Sequence, residues 1–144
     1  MSRTFVLFLL LVAWLLPACK STSTLVPAEE VVGQQVSVAG GVYTDVSAAE
    51  LQTMLAKKDF TFVNVHIPFE GDIANTDLSI AYNEIKQNLE MLPAEKDAKI
   101  VLYCRSDRMS RIAAETLVDL GFTNVWNLDG GMVAWEQADL PLKK

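Results

Sequence analysis

Apolar and polar positions alternate between two periods along most of this chain, and the order of those periods predicts the fold. Ser47-Ala48-Ala49-Glu50 has the serine-to-glutamate spacing of a capping box, and Leu51, Met54 and Leu55 supply one apolar face as far as Lys58. Phe60–Val65 is β-rich and nearly continuous in apolarity, as expected of a strand buried on both faces. A polar loop with Pro68, Gly71 and several acids follows. Ile85, Leu89 and Leu92 then predict a second helix, stopped by Pro93. Lys99–Tyr103 is the next strand. The helix after it buries Met109, Ile112, Ala113, Thr116, Leu117 and Leu120 and closes at Gly121. Asn124–Leu128 is a further strand, Gly130-Gly131 opens a short helix carrying Met132 and Trp135, and Pro141 ends the domain. Strands that alternate with helices predict an α/β domain with a mainly parallel sheet. Trp126 and Trp135 are expected in its core.

The first residues follow a different pattern. Met1-Ser2-Arg3-Thr4 precedes an apolar stretch from Phe5 to Leu16, then Pro17-Ala18-Cys19. A short basic start, an apolar core and a small residue before a break describe a secretory leader over residues 1–18. The stretch falls short of the roughly 20 residues of a membrane span. Leu16-Pro17-Ala18-Cys19 resembles the lipobox of bacterial lipoproteins, which implies acylation of Cys19; a conventionally cleaved secreted protein and an uncleaved anchor are the alternatives. The expected location is extracytoplasmic, periplasmic or at the cell surface. Residues 19–41 read as a tether, within which Val31–Ala39 either adds an edge strand or remains loop, and residues 42–144 as the folded domain.

Charge narrows the partners. Loss of residues 1–18 removes Arg3 alone of the 12 basic residues and leaves 11 against 18 acidic ones, a net charge of −7. Phosphate backbones need a basic face, so nucleic acid is excluded as an expected partner. There is no polybasic patch for anionic lipid, so membrane contact is expected through the lipid on Cys19 only.

The remaining arginines, Arg105, Arg108 and Arg111, all lie within seven positions of Cys104, at the turn between a strand and a helix. Such a turn aims backbone N–H groups and the positive helix end at its occupant. Cysteines at helix N-termini beside cations favour the nucleophilic thiolate. With Cys19 acylated, Cys104 is the only free thiol, and no Cys-x-x-Cys pair exists. A lone thiol in an oxidising compartment points to chemical use, the bland reading being a small buried apolar cysteine. Arg105 is the first candidate for an anion contact. Arg108 either shares that role or projects into solvent, and Arg111 is expected to pair with Glu115 on the polar helix face. Ser106 and Ser110 are expected to supply hydroxyl hydrogen bonds and helix capping.

Three signatures together resemble the rhodanese homology domain: Tyr103-Cys104-Arg105-Ser106 at a strand end, Gly121-Phe122-Thr123-Asn124-Val125 followed by Leu128-Asp129-Gly130-Gly131-Met132-Val133-Ala134-Trp135, and the closing Leu140-Pro141. The resemblance implies a central, mainly parallel five-stranded sheet flanked by helices, and a sulfurtransferase. Cys104 would take a sulfane sulfur from a small anionic donor such as thiosulfate. Its persulfide would pass that sulfur to cyanide, a thiol or a protein acceptor, with no cofactor and no metal. Arg105, Ser106, Asp107, Arg108 and Met109 would form the substrate-binding loop, with His66 and Ser110 as further candidates. A non-catalytic binding module and a persulfide carrier for one acceptor protein are the rival readings.

The chain also departs from the pattern. Active rhodaneses usually carry glycine at the position of Asp107, where the backbone favours positive φ. The carboxylate either faces inward, repelling an anionic donor, or faces outward and caps the helix. Met109 removes another anion contact. Related phosphatases resemble Cys-x5-Arg, but here the sixth position after Cys104 is Ser110 and the arginine comes one place later, so phosphatase activity is not expected. The family's Asp-x-Arg is here Asn64-Val65-His66. His66, the only histidine, either touches substrate or Cys104 or is held structurally by backbone.

Overall fold

A computed structural model describes residues 30–144, so the leader and Cys19 lie outside the described residues. Twelve elements follow in chain order. They are β1 (Gln34–Val38), β2 (Gly41–Val46), α1 (Ala48–Ala56), β3 (Thr61–Asn64), β4 (Asp72–Ile73) and β5 (Leu78–Ser79), then a 3₁₀ helix (Ile85–Met91), β6 (Ile100–Tyr103), α2 (Arg108–Asp119), β7 (Val125–Leu128), α3 (Gly131–Gln137) and β8 (Leu142–Lys143).

The central sheet has six strands in the order β1-β2-β7-β6-β3-β5, not five. Only β1 runs antiparallel to its neighbour; the β2–β7, β7–β6, β6–β3 and β3–β5 pairs are parallel. The extra strand comes from residues that the sequence left between loop and strand. Val36 and Val38 alternate with Gln35 and Ser37, so β1 lays two valines against the core and hydrogen-bonds along β2 from Gln34↔Asp45 to Val38↔Gly41. The folded unit therefore begins at β1, inside the segment assigned to a tether. At the other end the chain does not stop at Pro141. Leu142 and Lys143 pair with Ile73 and Asp72 in a two-stranded antiparallel ribbon.

β6 sits between β3 and β7 and is buried along its whole length, with Ile100, Val101, Leu102 and Tyr103 each 0% exposed. Its alternate side chains feed two cores. Ile100 and Leu102 join Val63, Val65, Ala113, Leu117 and Phe122 under α2. Val101 and Tyr103 join Leu51, Phe62, Leu128, Met132 and Trp135 under α1 and α3. The strand that ends at Cys104 is thus clamped on both faces, which fixes where the sulfur emerges.

The region after β5 is a 3₁₀ helix rather than the α-helix predicted there, kinked at Asn88. The Asn88 amide donates to the Glu84 carbonyl at 2.8 Å, the oxygen an α-helix would give to the Asn88 N–H. The side chain competes with the backbone and the turn tightens. α1 starts as predicted. The Glu50 N–H donates to Ser47 Oγ at 3.3 Å, and the Ser47 N–H donates to Glu50 Oε2 at 2.8 Å. That reciprocal bonding holds the Glu50 carboxyl below its ordinary range.

Candidate active site

Cys104 follows β6 directly, and the chain turns through Arg105, Ser106 and Asp107 into α2. The residue is 1% exposed. Its sulfur accepts the Asp107 N–H at 3.1 Å and the Ser110 hydroxyl at 3.4 Å, while the same hydroxyl lies 2.9 Å from the Asp107 carbonyl. Ser110, the weaker of the two serine candidates on sequence, is fully buried and on the sulfur; Ser106 is exposed. Arg108 and Met109 open α2, Arg108 exposed and Met109 half-buried against the core below.

The turn is held from the other side by α3. The Met132 and Val133 N–H groups donate to the carbonyls of Cys104 and Arg105 at 2.9 and 3.0 Å. Gly131 makes that approach feasible. It has φ of +57°, and a Cβ on it would stand 2.3 Å from the Cys104 carbonyl oxygen. The Gly130-Gly131 pair read in sequence as a helix start is therefore also the seat of the cysteine turn.

Asp107 takes neither orientation considered for it. Its backbone is at φ +89° and ψ −40°, a conformation that suits glycine, and its side chain makes no cap hydrogen bond. Instead the carboxylate turns sideways. One oxygen accepts Asn127 Nδ2 at 2.8 Å and the other lies against Arg111 Nε. Arg111 is not paired with Glu115 as expected. It gathers Asp107, Asp45 at 3.4 Å and Asp129 at 3.2 Å, and Asn127 also donates to Asp45 at 2.7 Å. Helical spacing showed the Glu115 option; the carboxylates of β2 and of the loop after β7 reach Arg111 only through tertiary packing. Burial raises the Asp45 carboxyl above its ordinary range, with Asn127 and Arg111 opposing the rise. Burial also works against the charge on Arg111, but Asp107 and Asp45 outweigh it and hold the guanidinium protonated.

Arg105 is half-exposed at the rim, and its guanidinium is taken up. Nε lies 3.0 Å from Glu70 Oε2 and Nη1 lies 3.2 Å from Glu136 Oε2. Glu70 presents its second oxygen to His66 Nε2 at 3.3 Å. The His66 ring is buried, and neither ring nitrogen makes a hydrogen bond among the described residues. The structural alternative offered for His66, a ring bonded to backbone, is therefore wrong; only its own N–H bonds locally, to Asn64 Oδ1 at 3.0 Å. The parallel register sets Asn64 against Tyr103, which carries His66 to the cysteine end of the sheet. Glu70 and Glu136 were missed as site residues. Nothing in sequence spacing links either one to Arg105.

Tyr103, just before the cysteine, anchors the loop beside it. Its hydroxyl accepts the Ile73 N–H at 3.0 Å, lies 2.7 Å from the Thr76 hydroxyl and donates to Asp72 at 3.1 Å. Burial raises its phenol well above the usual range. A groove of about 480 Å³ lined by Val31, Met54, Lys57, Lys99, Asn124 and Trp126 lies at the opposite, N-terminal ends of the strands, away from the thiol.

The fold and site define a mainly parallel α/β domain that carries a buried thiol on the turn between a central strand and a helix, with a glycine-started helix behind that turn. The chain belongs to the rhodanese family, matching the rhodanese-like domain over residues 47–138. It is 33% identical over 104 residues to the thiosulfate sulfurtransferase GlpE of Vibrio cholerae, covering 71% of this chain and 94% of that protein. It is 29% identical to the tRNA uridine(34) hydroxylase of Escherichia coli over 62% of this chain, but spans only 27% of that longer protein. A rhodanese-related protein from Thermoplasma volcanium superposes with a TM-score of 0.58 at 31% identity, covering 68% of this chain and 95% of its own.

Proposed function

We propose that this protein is a sulfurtransferase that carries sulfane sulfur as a persulfide on Cys104. The observation that carries the reading is the sulfur of Cys104, held at a strand end by the Asp107 N–H and the Ser110 hydroxyl. With thiosulfate as donor, the Cys104 thiolate attacks the outer sulfur. The new Cys104 S–S bond forms as the S–S bond to the sulfonate breaks, and sulfite leaves with the electron pair. Cyanide or an acceptor thiolate then attacks the terminal sulfur, and the thiolate of Cys104 is the leaving group. The charge moves from Sγ to the terminal sulfur in the persulfide and returns to Sγ when the acceptor takes that sulfur, so the donors at Sγ favour the thiolate that attacks first and leaves last.

Arg108, without an ion pair among the described residues, is open to an anionic donor, Arg105 only on release from Glu70 and Glu136, and Met132 and Val133 brace the turn from below. Because Cys104 is 1% exposed, a donor displaces rim side chains before it reaches the sulfur. The similarity to GlpE supports thiosulfate as a donor. The leader pattern and Cys19 support a lipid-tethered, extracytoplasmic placement, checked by mass of the lipopeptide released from the membrane fraction. Thiocyanate formation from thiosulfate and cyanide, with Cys104→Ser beside the parent, tests the activity. Thiocyanate from the parent and none from the variant is the expected result. No thiocyanate from either, with any sulfane-sulfur donor, would leave the binding module as the better reading.

A further inference from the structure

The three guanidinium groups nearest the thiol do not make a cationic site. Arg111 is held by Asp45, Asp107 and Asp129, and Arg105 by Glu70 and Glu136, while Arg108 has no ion pair among the described residues. Five carboxylates thus pair with two of the three arginines. The one arginine adjacent to the nucleophile is bound by two of them, from different elements, at 3.0 and 3.2 Å. An incoming anion meets Arg105 already neutralised and meets the residual field of its partners. That field acts on a dianion with twice the energy it exerts on a monoanion.

Beside this pair lies apolar surface. Ile67 and Phe69, which flank Pro68 just before Glu70, are 37% and 61% exposed. Glu70 touches Arg105, so the segment that carries these two exposed residues reaches the rim of the same site. A donor with a single charge and an apolar group fits both features; a small dianion fits neither.

We propose that Glu70 and Glu136 are specificity-determining residues that turn the site from thiosulfate toward singly charged sulfane-sulfur donors with an apolar substituent, of the thiosulfonate class R–SO2–S⁻. This inference rests on the sulfurtransferase reading above. In the transfer, the Cys104 thiolate attacks the terminal sulfur of the thiosulfonate and the S–S bond forms. The S–S bond to the sulfonyl sulfur breaks, the sulfinate R–SO2⁻ leaves with the electron pair, and the persulfide anion remains. Glu70 and Glu136 touch no reacting atom; they act by neutralising Arg105 and by the field of their own charge at the rim.

The test is kcat/KM for thiosulfate and for methanethiosulfonate, with cyanide as acceptor, in the parent, Glu136→Gln, Glu70→Gln and the surface control Glu95→Gln. Removing one carboxylate raises the thiosulfate value about fivefold and the methanethiosulfonate value about twofold, so the ratio between donors shifts about twofold or more toward thiosulfate. Glu95→Gln leaves the ratio unchanged. In an Arg105→Ala background the Glu136→Gln shift persists, because a carboxylate without its cation acts on the donor unscreened. Turnover of both donors with the same ratio in parent and Glu→Gln variants would overturn the inference and leave the sulfurtransferase standing. Absence of turnover and of persulfide with either donor would overturn both.

Discussion

Asp107→Gly is the substitution whose outcome depends most on the geometry of the cysteine turn. At φ +89° and ψ −40° the aspartate backbone is strained, and relief by glycine is worth roughly 1–3 kcal/mol, nearer the lower end because aspartate tolerates positive φ. Against this stand three losses. The hydrogen bond from Asn127 is worth about 1 kcal/mol, and Asn127 keeps Asp45 as its second acceptor. The pair with Arg111, a half-exposed side chain that retains Asp45 and Asp129, is worth under about 1 kcal/mol. Glycine also adds roughly 0.4–1 kcal/mol of unfolded-chain entropy. The net change in stability is within about 1 kcal/mol, so the variant folds. Its effect on activity is larger. The Asp107 N–H is 3.1 Å from the sulfur, which places the carboxylate within about 5–7 Å of the charge that forms there. Unpaired, that repulsion would approach 3 kcal/mol at an effective dielectric of about 20; with Arg111 against the carboxylate, roughly 1 kcal/mol remains. The expected gain in kcat/KM with thiosulfate is about fivefold. Asp107→Asn separates charge from backbone, since it removes the first and keeps the second. It is expected to share the gain in activity without any relief of strain in a urea melt. Equal or lower kcat/KM in both variants would refute the reasoning and make the aspartate neutral or necessary.

Four further substitutions probe the frame of the site and of the fold. Gly131→Ala drives a methyl group into the Cys104 carbonyl and puts alanine at φ +57°; it should cost about 2–4 kcal/mol in urea unfolding and weaken persulfide formation, and a loss under 0.5 kcal/mol would contradict the docking of α3 on the turn. Tyr103→Phe strands the Ile73 N–H and costs about 1–3 kcal/mol at neutral pH. Because burial raises the Tyr103 pKa above its ordinary value of 10.0, its contribution is complete below that pH and is lost as pH rises through the folded pKa, so the variant should show a flatter alkaline limb in stability against pH. Ser47→Ala should cost about 1 kcal/mol by opening the capping box. The depressed Glu50 carboxyl stabilises the fold above its ordinary value of 4.5 and loses that contribution as pH falls through the folded pKa, so Glu50→Gln should shallow the acid limb there.

The sequence carried the strands and the helices wherever a periodic face or a cap set them. Buried β3 and β6 read directly as apolar runs, and α1 read from its capping box. The 3₁₀ helix did not, because a side chain of Asn88 outcompetes the backbone for one carbonyl and leaves the apolar spacing intact. β1 is a short edge strand in a hairpin with β2, half polar along its length, so local composition left it open; β8 is a two-residue pairing with the sequence-distant β4, which local composition missed. In the site, the thiol and its turn were legible from one segment. The ion-pair partners were not. Arg111 satisfied a local rule with Glu115, yet folding offers it Asp45 and Asp129, and Glu70 and Glu136 meet at Arg105 only because α3 and the loop after β3 converge on it.

The persulfide on Cys104 is the central claim, and intact mass of the full chain tests it most directly. The protein is measured before and after thiosulfate or methanethiosulfonate, then after cyanide, beside Cys104→Ser. A gain of one sulfur atom that cyanide removes, absent from the variant, is the predicted result. No gain with either donor, while Cys104 still reacts with an alkylating reagent, would contradict it.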